Sequence, residues 1–222
     1  MNLGICTVVY SDYGRFLEGW VNSIKALKTP PTEVVIVLGK NYGDKYLPIA
    51  WPVGAKIINS ESDNLGELKN IALENLSTEW VVNLSVDDEI MPWAIEEFAK
   101  HTKNKDIIAT KYLFISPKKS VCMHPRINTE VLLSKEYYIN GSNYMHGSSP
   151  FRRELWLRNR YKENKCFNTL FWIDCAVEGA NFGTTDIPCL IYNKWEGSHS
   201  DVDTRERAKR FKIINEYRES KL

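Results

Sequence analysis

The chain opens on a β-branched apolar run, Leu3-Gly4-Ile5-Cys6-Thr7-Val8-Val9-Tyr10, of the kind that fills a buried strand. Ser11 or Asp12 can then cap a helix over about 14–28, because Phe16, Trp20 and Ile24, with Leu17 and Val21, recur at helical spacing. Thr29-Pro30-Pro31 stops that helix. Glu33 to Leu38 is near-continuously apolar, as a parallel strand covered on both faces must be, and Ile57-Ile58 marks a short third strand. Residues 65–76 predict a second helix with Leu65, Leu68, Ala72 and Leu76 inward. Trp80 to Leu84 is another buried strand and runs directly into Ser85-Val86-Asp87-Asp88-Glu89. Pro92 sits where a first helical turn tolerates proline, and that helix continues to about Lys100 through Ile95, Phe98 and Ala99. Strands alternating with helices predict an open α/β sheet, which binds ligands beyond the carboxyl ends of its strands.

The second half is less regular. Residues 107–116 and roughly 121–139 read as extended, 151–159 and 173–181 as helices, and Asp186 to Tyr192 as a strand. Residues 203–219 predict a charged C-terminal helix with Ala208, Phe211, Ile214 and Tyr217 as its apolar positions. No repeat or linker interrupts the chain. We therefore expect residues 1–222 to form one domain, with a ligand-binding half over about 1–100 and a mixed half over about 101–222.

Composition narrows the class only a little. A hydrophobic fraction of 43% fits a globular protein, and a net charge of +1 gives no general attraction to nucleic acid. Five cysteines at 6, 122, 166, 175 and 189, with no C-x-x-C pair, predict reduced and mostly buried thiols rather than a disulfide framework or a zinc ribbon. The N-terminus has no basic leader and no apolar run approaches the ~20 residues of a membrane span, so the expected location is the cytoplasm.

The chemistry concentrates at Asp87, Asp88 and Glu89. Adjacent acids at the end of a buried strand repel one another and lose hydration, and a hard divalent cation with phosphate co-ligands would offset both. The same acids could instead cap the helix that starts near Pro92. The local pattern leaves both readings open.

Four stretches decide between them by resemblance: Cys6 to Ser11 with Val21-Asn22-Ser23-Ile24; Asn64-Leu65-Gly66 with Lys69-Asn70-Ile71-Ala72; Val81 to Pro92; and Gly147 to Arg153 followed by Trp172-Ile173-Asp174. Together they resemble the family 2 glycosyltransferases of the GT-A fold, an open, mostly parallel, Rossmann-like sheet with helices on both faces and a mixed C-terminal acceptor region. That resemblance implies transfer of a sugar from a nucleoside diphosphate to an acceptor hydroxyl, with inversion and with Mn2+ or Mg2+ as cofactor. It assigns the metal to Asp87 and the diphosphate–metal or sugar region to Asp88. Tyr10 and its neighbours Thr7 and Val9 would contact the base and ribose, Lys69 the donor phosphates or sugar, and Asp174 the acceptor proton. His199, in Trp195 to Ser200, would approach the metal or diphosphate. Two departures stand out: Ser85 replaces the first acid of D-x-D, and Leu38-Gly39-Lys40-Asn41 replaces Asp-Asp-Gly-Ser. They leave the nucleotide open, with UDP as the default. The acceptor, whether glycan, lipid-linked glycan, protein or nucleic acid, and the oligomeric state are not encoded in any motif.

Other residues carry competing readings. Glu178 shares a helix face with Asp174 if 173–181 is helical. His146 could line an acceptor pocket or bond to loop backbone; Arg152 and Arg153 could hold an anion or decorate the surface. Trp156 and Trp172 could stack on a sugar, though their spacing favours the core. A nucleotidyltransferase would need a Gly-rich, basic loop after the first strand, for which Ser11-Asp12-Tyr13-Gly14-Arg15 is a poor match. A non-catalytic binding module on the same frame is the other alternative.

Overall fold

The computed structural model describes residues 1–40, 51–52, 54–125, 127–134, 145–163, 166–198 and 203–222. The first half follows the hydrophobic pattern. Strand β1 is Leu3–Val9; a 3-10 turn, Ser11–Phe16, leads into helix α1, Leu17–Lys25. Then come β2, Glu33–Leu38; β3, Lys56–Asn59; α2, Leu65–Glu74; and β4, Trp80–Asn83. Two residues of the acidic stretch, Glu89–Ile90, form β5, and α3 is Ala94–Lys100. The second half holds β6, Ile107–Ala109; β7, Tyr112–Ser116; β8, Lys119–Met123; and α4, Thr129–Leu133. After these come β9, Phe151–Arg152; α5, Arg153–Arg158; and α6, Phe167–Val177. The remaining elements are β10, Phe182–Thr184; β11, Leu190–Asn193; and α7, Thr204–Glu219.

The main sheet has seven strands in the order β10-β6-β9-β4-β1-β2-β3. Strands β4, β1, β2 and β3 are mutually parallel, and β9 runs antiparallel between β4 and β6. Chain order reverses between β1 and β4. That is the switch point at which open α/β sheets leave a crevice. A second sheet, β5-β11-β7-β8, begins only six residues after β4 ends. Asp87 and Asp88 lie on the stretch that crosses from one sheet to the other.

The period of two along β1 divides its side chains between two cores. Cys6 and Val8 pack with Leu68, Ala72 and Leu73 of α2 and with α5 and α6. Leu3, Ile5 and Val9 pack with Leu17, Trp20 and Ile24 of α1 and with Ala94, Ile95 and Phe98 of α3. Helices therefore cover both faces, as the GT-A expectation requires. At Gly66 a Cβ would lie 2.5 Å from the carbonyl oxygen of Lys162, so only glycine lets the first turn of α2 approach that backbone.

The second half corrects several expectations. The stretch 121–139, read as extended, holds a strand end and the helix α4, which Asn128 caps by accepting from the Val131 N–H at 2.8 Å. The helix expected at 173–181 occupies Phe167–Val177 instead. Nearly every α6 residue is buried, so no polar face marks its period, and an apolar run of that kind cannot be told from a strand by pattern alone. The strand predicted from Asp186 starts at Leu190. All five cysteines are free, four of them buried, and no helix among the described residues is long and apolar enough to cross a membrane.

Candidate active site

The crevice at the β1/β4 switch point is a cavity of ≈ 460 Å³. Val8 from β1, Tyr10 just beyond its end, Lys69 from α2 and Ser85 to Asp88 from the β4–β5 crossing line one side of it. Tyr112, Tyr192 and His146 form a second wall, Phe167 to Thr169 at the start of α6 a third, and Arg207, Arg210, Phe211 and Ile214 of α7 close over it.

The two carboxylates are held by the segment that follows β11. The indole Nε1–H of Trp195 donates to Asp87 Oδ2 at 3.1 Å, and Asn193 Nδ2 donates to the Asp87 main-chain oxygen at 3.1 Å. The Asn193 backbone N–H donates to Asp88 Oδ1 at 3.2 Å, and His146 Nε2 stands 3.5 Å from Asp88 Oδ2. His146 Nδ1 accepts the Ser148 N–H at 3.1 Å, which leaves the ring proton on Nε2, facing Asp88. Burial and the nearby Lys69 charge push His146 down to about 3, so it is neutral at physiological pH.

Burial raises Asp87 above its ordinary value, against the Trp195 hydrogen bond and the Lys69 charge. Burial raises Asp88 further still, and the Asp87 charge adds to it. Lys69 is the buried counter-charge: its Nζ lies 3.3 Å from Asn83 Oδ1 and faces the rings of Phe167 and Tyr161. Burial lowers it to about 8, with Cys6, Asp88 and Asp87 pulling the other way. The helix-cap reading of the acids fails on this geometry. Both side chains point into the cavity, and α3 starts six residues after Asp88 with no side-chain cap bond.

Residues 5–158 match the family described as Glycosyl transferase family 2. The chain belongs to that family. Solved structures show how the family's GT-A frame extends past the matched stretch. TarS from S. aureus in complex with UDP-GlcNAc is similar over 98% of this chain and 66% of its own, with TM-score 0.72 and 16% identity. The mannosyltransferase PcManGT from Pyrobaculum calidifontis, in complex with GDP-Man and Mn2+, is similar over 89% of this chain and 58% of its own, with TM-score 0.64 and 13% identity. Glucosyl-3-phosphoglycerate synthase from Mycobacterium tuberculosis, with Mn2+, UDP and glucosyl-3-phosphoglycerate, gives TM-score 0.66, 12% identity, and cover of 99% and 79%. This family 2 chain thus spans a little under two thirds of the TarS chain it resembles. No curated protein sequence matches it.

The sites expected from the sequence divide into three groups. Tyr10, Lys69, Asp87 and Asp88 meet in the cavity. Thr7 and Val9 do not line it: they point from β1 towards the α1/α3 layer, Val9 sits in that core, and the Val9 carbonyl accepts the Gly39 N–H at 2.8 Å. Val8 and Tyr10 face the cavity instead, because strand side chains alternate. His199 lies outside the described residues.

Asp174 is a clear correction. It sits late on α6, 3% exposed, and does not line the cavity. Its oxygens take Lys162 Nζ at 2.6 Å, Lys221 Nζ at 3.1 Å and the Tyr217 hydroxyl at 2.7 Å, which ties α7 down onto α6. Burial alone would raise this carboxyl, but Lys162, Tyr217 and Lys221 together hold it below its ordinary value. A carboxylate so occupied has no lone pair directed at an acceptor hydroxyl. Asp174→Asn is therefore expected to lower stability by about 2 kcal/mol through lost charged hydrogen bonds. UDP–Mn2+ affinity should stay within about twofold of wild type by calorimetry. A large affinity loss without a change in Tm would restore Asp174 to the site.

The remaining candidates are structural. Glu178 pairs with Arg158 at 3.0 Å, Arg152 with Glu79 and Asp106, and Arg153 bonds the Leu73 carbonyl at 3.3 Å. Trp172 is fully buried, and Trp156 Nε1–H donates to Asn70 Oδ1 at 2.9 Å. Glu97, His101 and Asp186 also cluster, with ligand atoms within 4.8 Å of one another, but none lines the cavity. Glu97 already accepts the Asp186 N–H at 2.6 Å as well as Lys100 and His101, so it serves as a bracket for the loop before β11. Sequence reasoning missed Tyr13, Tyr112, Tyr192, Asn193, Trp195 and the α7 arginines. Tyr192, Asn193 and Trp195 share one signal, the polar and aromatic run at the end of the last strand.

Proposed function

We propose that this chain transfers a sugar from a nucleoside diphosphate to an acceptor hydroxyl, with Mn2+ or Mg2+ held at Asp87 and residues 1–222 acting as one GT-A domain. The observation that carries this reading is the pair of carboxylates, half-buried Asp87 and buried Asp88, facing one cavity at the sheet's switch point.

The donor set fits a hard divalent cation. Asp87 Oδ1 accepts from no other residue among the described ones, the adjacent carboxylates repel each other, and a cation removes that repulsion. When bound, the ion would supply charge for a departing diphosphate. Lys69 lies beneath the same space and would hold phosphate oxygens, while the stacked pair Tyr10 and Tyr13, with centroids 4.6 Å apart, offers an aromatic wall for the base. Asp88, fixed by Asn193 and His146, keeps the pair in register. The UDP and GDP sugars and the Mn2+ bound by the similar enzymes support this assignment. Single displacement with inversion belongs to the same reading. Apart from Asp87 and Asp88, no described carboxylate lines the cavity to form a covalent glycosyl intermediate. A cytoplasmic location accompanies it.

The test is thermal shift with UDP-GlcNAc, UDP-glucose and GDP-mannose, with and without Mn2+. A donor at 100 times its Kd adds about 2.7 kcal/mol, or about 5–10 °C, by mass action. No shift with any of these donors in Mn2+ would overturn the proposal. A second reading, a module that binds a nucleotide sugar without transferring it, draws on the removal of Asp174 from the cavity. Binding without nucleoside diphosphate release across acceptors would support that reading instead.

A further inference from the structure

We propose that Trp195 is a positioning residue for the divalent-cation site: its indole N–H fixes the Asp87 carboxylate so that the other oxygen faces the cavity. This rests on the proposed function above. Neither the family match, which ends at residue 158, nor any sequence motif points to Trp195.

The geometry separates this tryptophan from a core filler. Trp156 donates to an amide oxygen and Trp93 to the Pro188 carbonyl at 2.9 Å, while the Nε1 atoms of Trp20 and Trp172 are buried without a partner. Trp195 instead donates to a carboxylate, Asp87 Oδ2, at 3.1 Å. Its ring is itself clamped. Tyr13 meets it edge-on at 5.2 Å, Phe16 packs at 5.0 Å, and the Arg15 guanidinium covers it at 4.3 Å from the centroid. An aromatic ring held on several sides presents its N–H in one direction, and a carboxylate that accepts it loses rotation about its last torsion. The constraint falls on Oδ2, while Oδ1 accepts from no other residue among the described ones. Asn193 completes the fixture by holding the Asp87 main chain at 3.1 Å and Asp88 Oδ1 at 3.2 Å. Two residues of one segment, Asn193 and Trp195, thus set both carboxylates.

Partners that orient a metal ligand typically contribute 10–100-fold to metal affinity. Trp195→Phe keeps most of the ring and removes the N–H. In the presence of UDP, its Mn2+ Kd, read from free-Mn2+ electron paramagnetic resonance, should rise about 10–100-fold. UDP affinity without metal should stay near wild type, which a merely structural loss would also lower. Trp93→Phe, which removes an equivalent N–H outside the cavity, should leave the Mn2+ Kd unchanged. A second variant replaces residue 195 with benzothienylalanine, whose sulfur takes the place of the N–H with the ring shape kept. It should reproduce the Trp195→Phe loss, and it decides the matter if Trp195→Phe does not fold. Wild-type Mn2+ affinity in the benzothienylalanine protein would overturn the inference alone. A wild-type chain that binds no Mn2+ with UDP would overturn the proposed function and this inference with it.

Discussion

Asp87→Asn is expected to cut metal-dependent sugar transfer by about 10²–10³-fold, the equivalent of about 3–4 kcal/mol of lost charge stabilisation on the leaving group. The same change should make the metal-free protein more stable, not less. Burial holds the Asp87 carboxyl above its unfolded value. The native state then keeps a proton that the unfolded chain gives up between the two values, so the contribution of this group is greatest below pH ~4 and falls as pH rises through the folded value. Above the unfolded value burial of this carboxyl costs stability, and Asn removes that cost without losing the oxygen that accepts the Trp195 N–H. We expect the variant to melt above wild type at pH 7, and the difference to shrink as pH falls towards ~4. Saturating Mn2+ and UDP should reverse the order. Melting curves at several pH values with and without Mn2+ read all of this. An Asp87→Asn protein that turns over donor at the wild-type rate would remove the metal from this residue.

That opposition between stability and function explains why the acids were legible in the sequence. Apolar runs at β1, β2 and β4 report burial directly, so the sheet and its carboxyl ends could be placed without coordinates. Acids in such a place contradict the apolar pattern around them, which singles them out, but the pattern alone left a helix cap and a metal site open and the family resemblance chose between them. Lys69 was singled out by the family resemblance alone; that it is buried on α2 is visible only in the fold. The α6 region was not legible. Its residues are buried on every side, the pattern gives no phase, and an Asp near its end could not be assigned to the cavity or away from it. Only the fold shows that Asp174 meets Lys162, Lys221 and Tyr217. Trp195 and Asn193 were hidden differently. Their roles depend on β11 pairing with β5, a contact between residues about a hundred positions apart that no local pattern encodes.

Lys69→Met should divide the metal site from the phosphate site. Methionine keeps the length and removes the charge, so the Phe167 and Tyr161 rings keep a neighbour. In the metal-free protein Lys69 lies near both acids and lowers their values. Once Mn2+ is present the ammonium repels it, so Mn2+ alone should bind the variant no more weakly than wild type. The donor diphosphate should behave in the opposite way. Losing one charge-assisted contact costs about 2 kcal/mol, roughly 30-fold in Kd for UDP–Mn2+. The pH dependence supplies an independent sign. Lys69 titrates near 8 in the free protein, so above that pH an anion must recruit a proton to be bound by a charged lysine. Wild-type Kd for UDP should therefore rise as pH passes about 8, by at most tenfold per unit, while the Met variant stays flat over the same range. Calorimetry with Mn2+ alone and with UDP–Mn2+ from pH ~7 to ~9 distinguishes the cases. A parallel loss of both affinities would place Lys69 in the fold rather than at the phosphates. An unchanged UDP affinity would leave the two cavity-lining arginines of α7, Arg207 and Arg210, as the cations that meet the diphosphate.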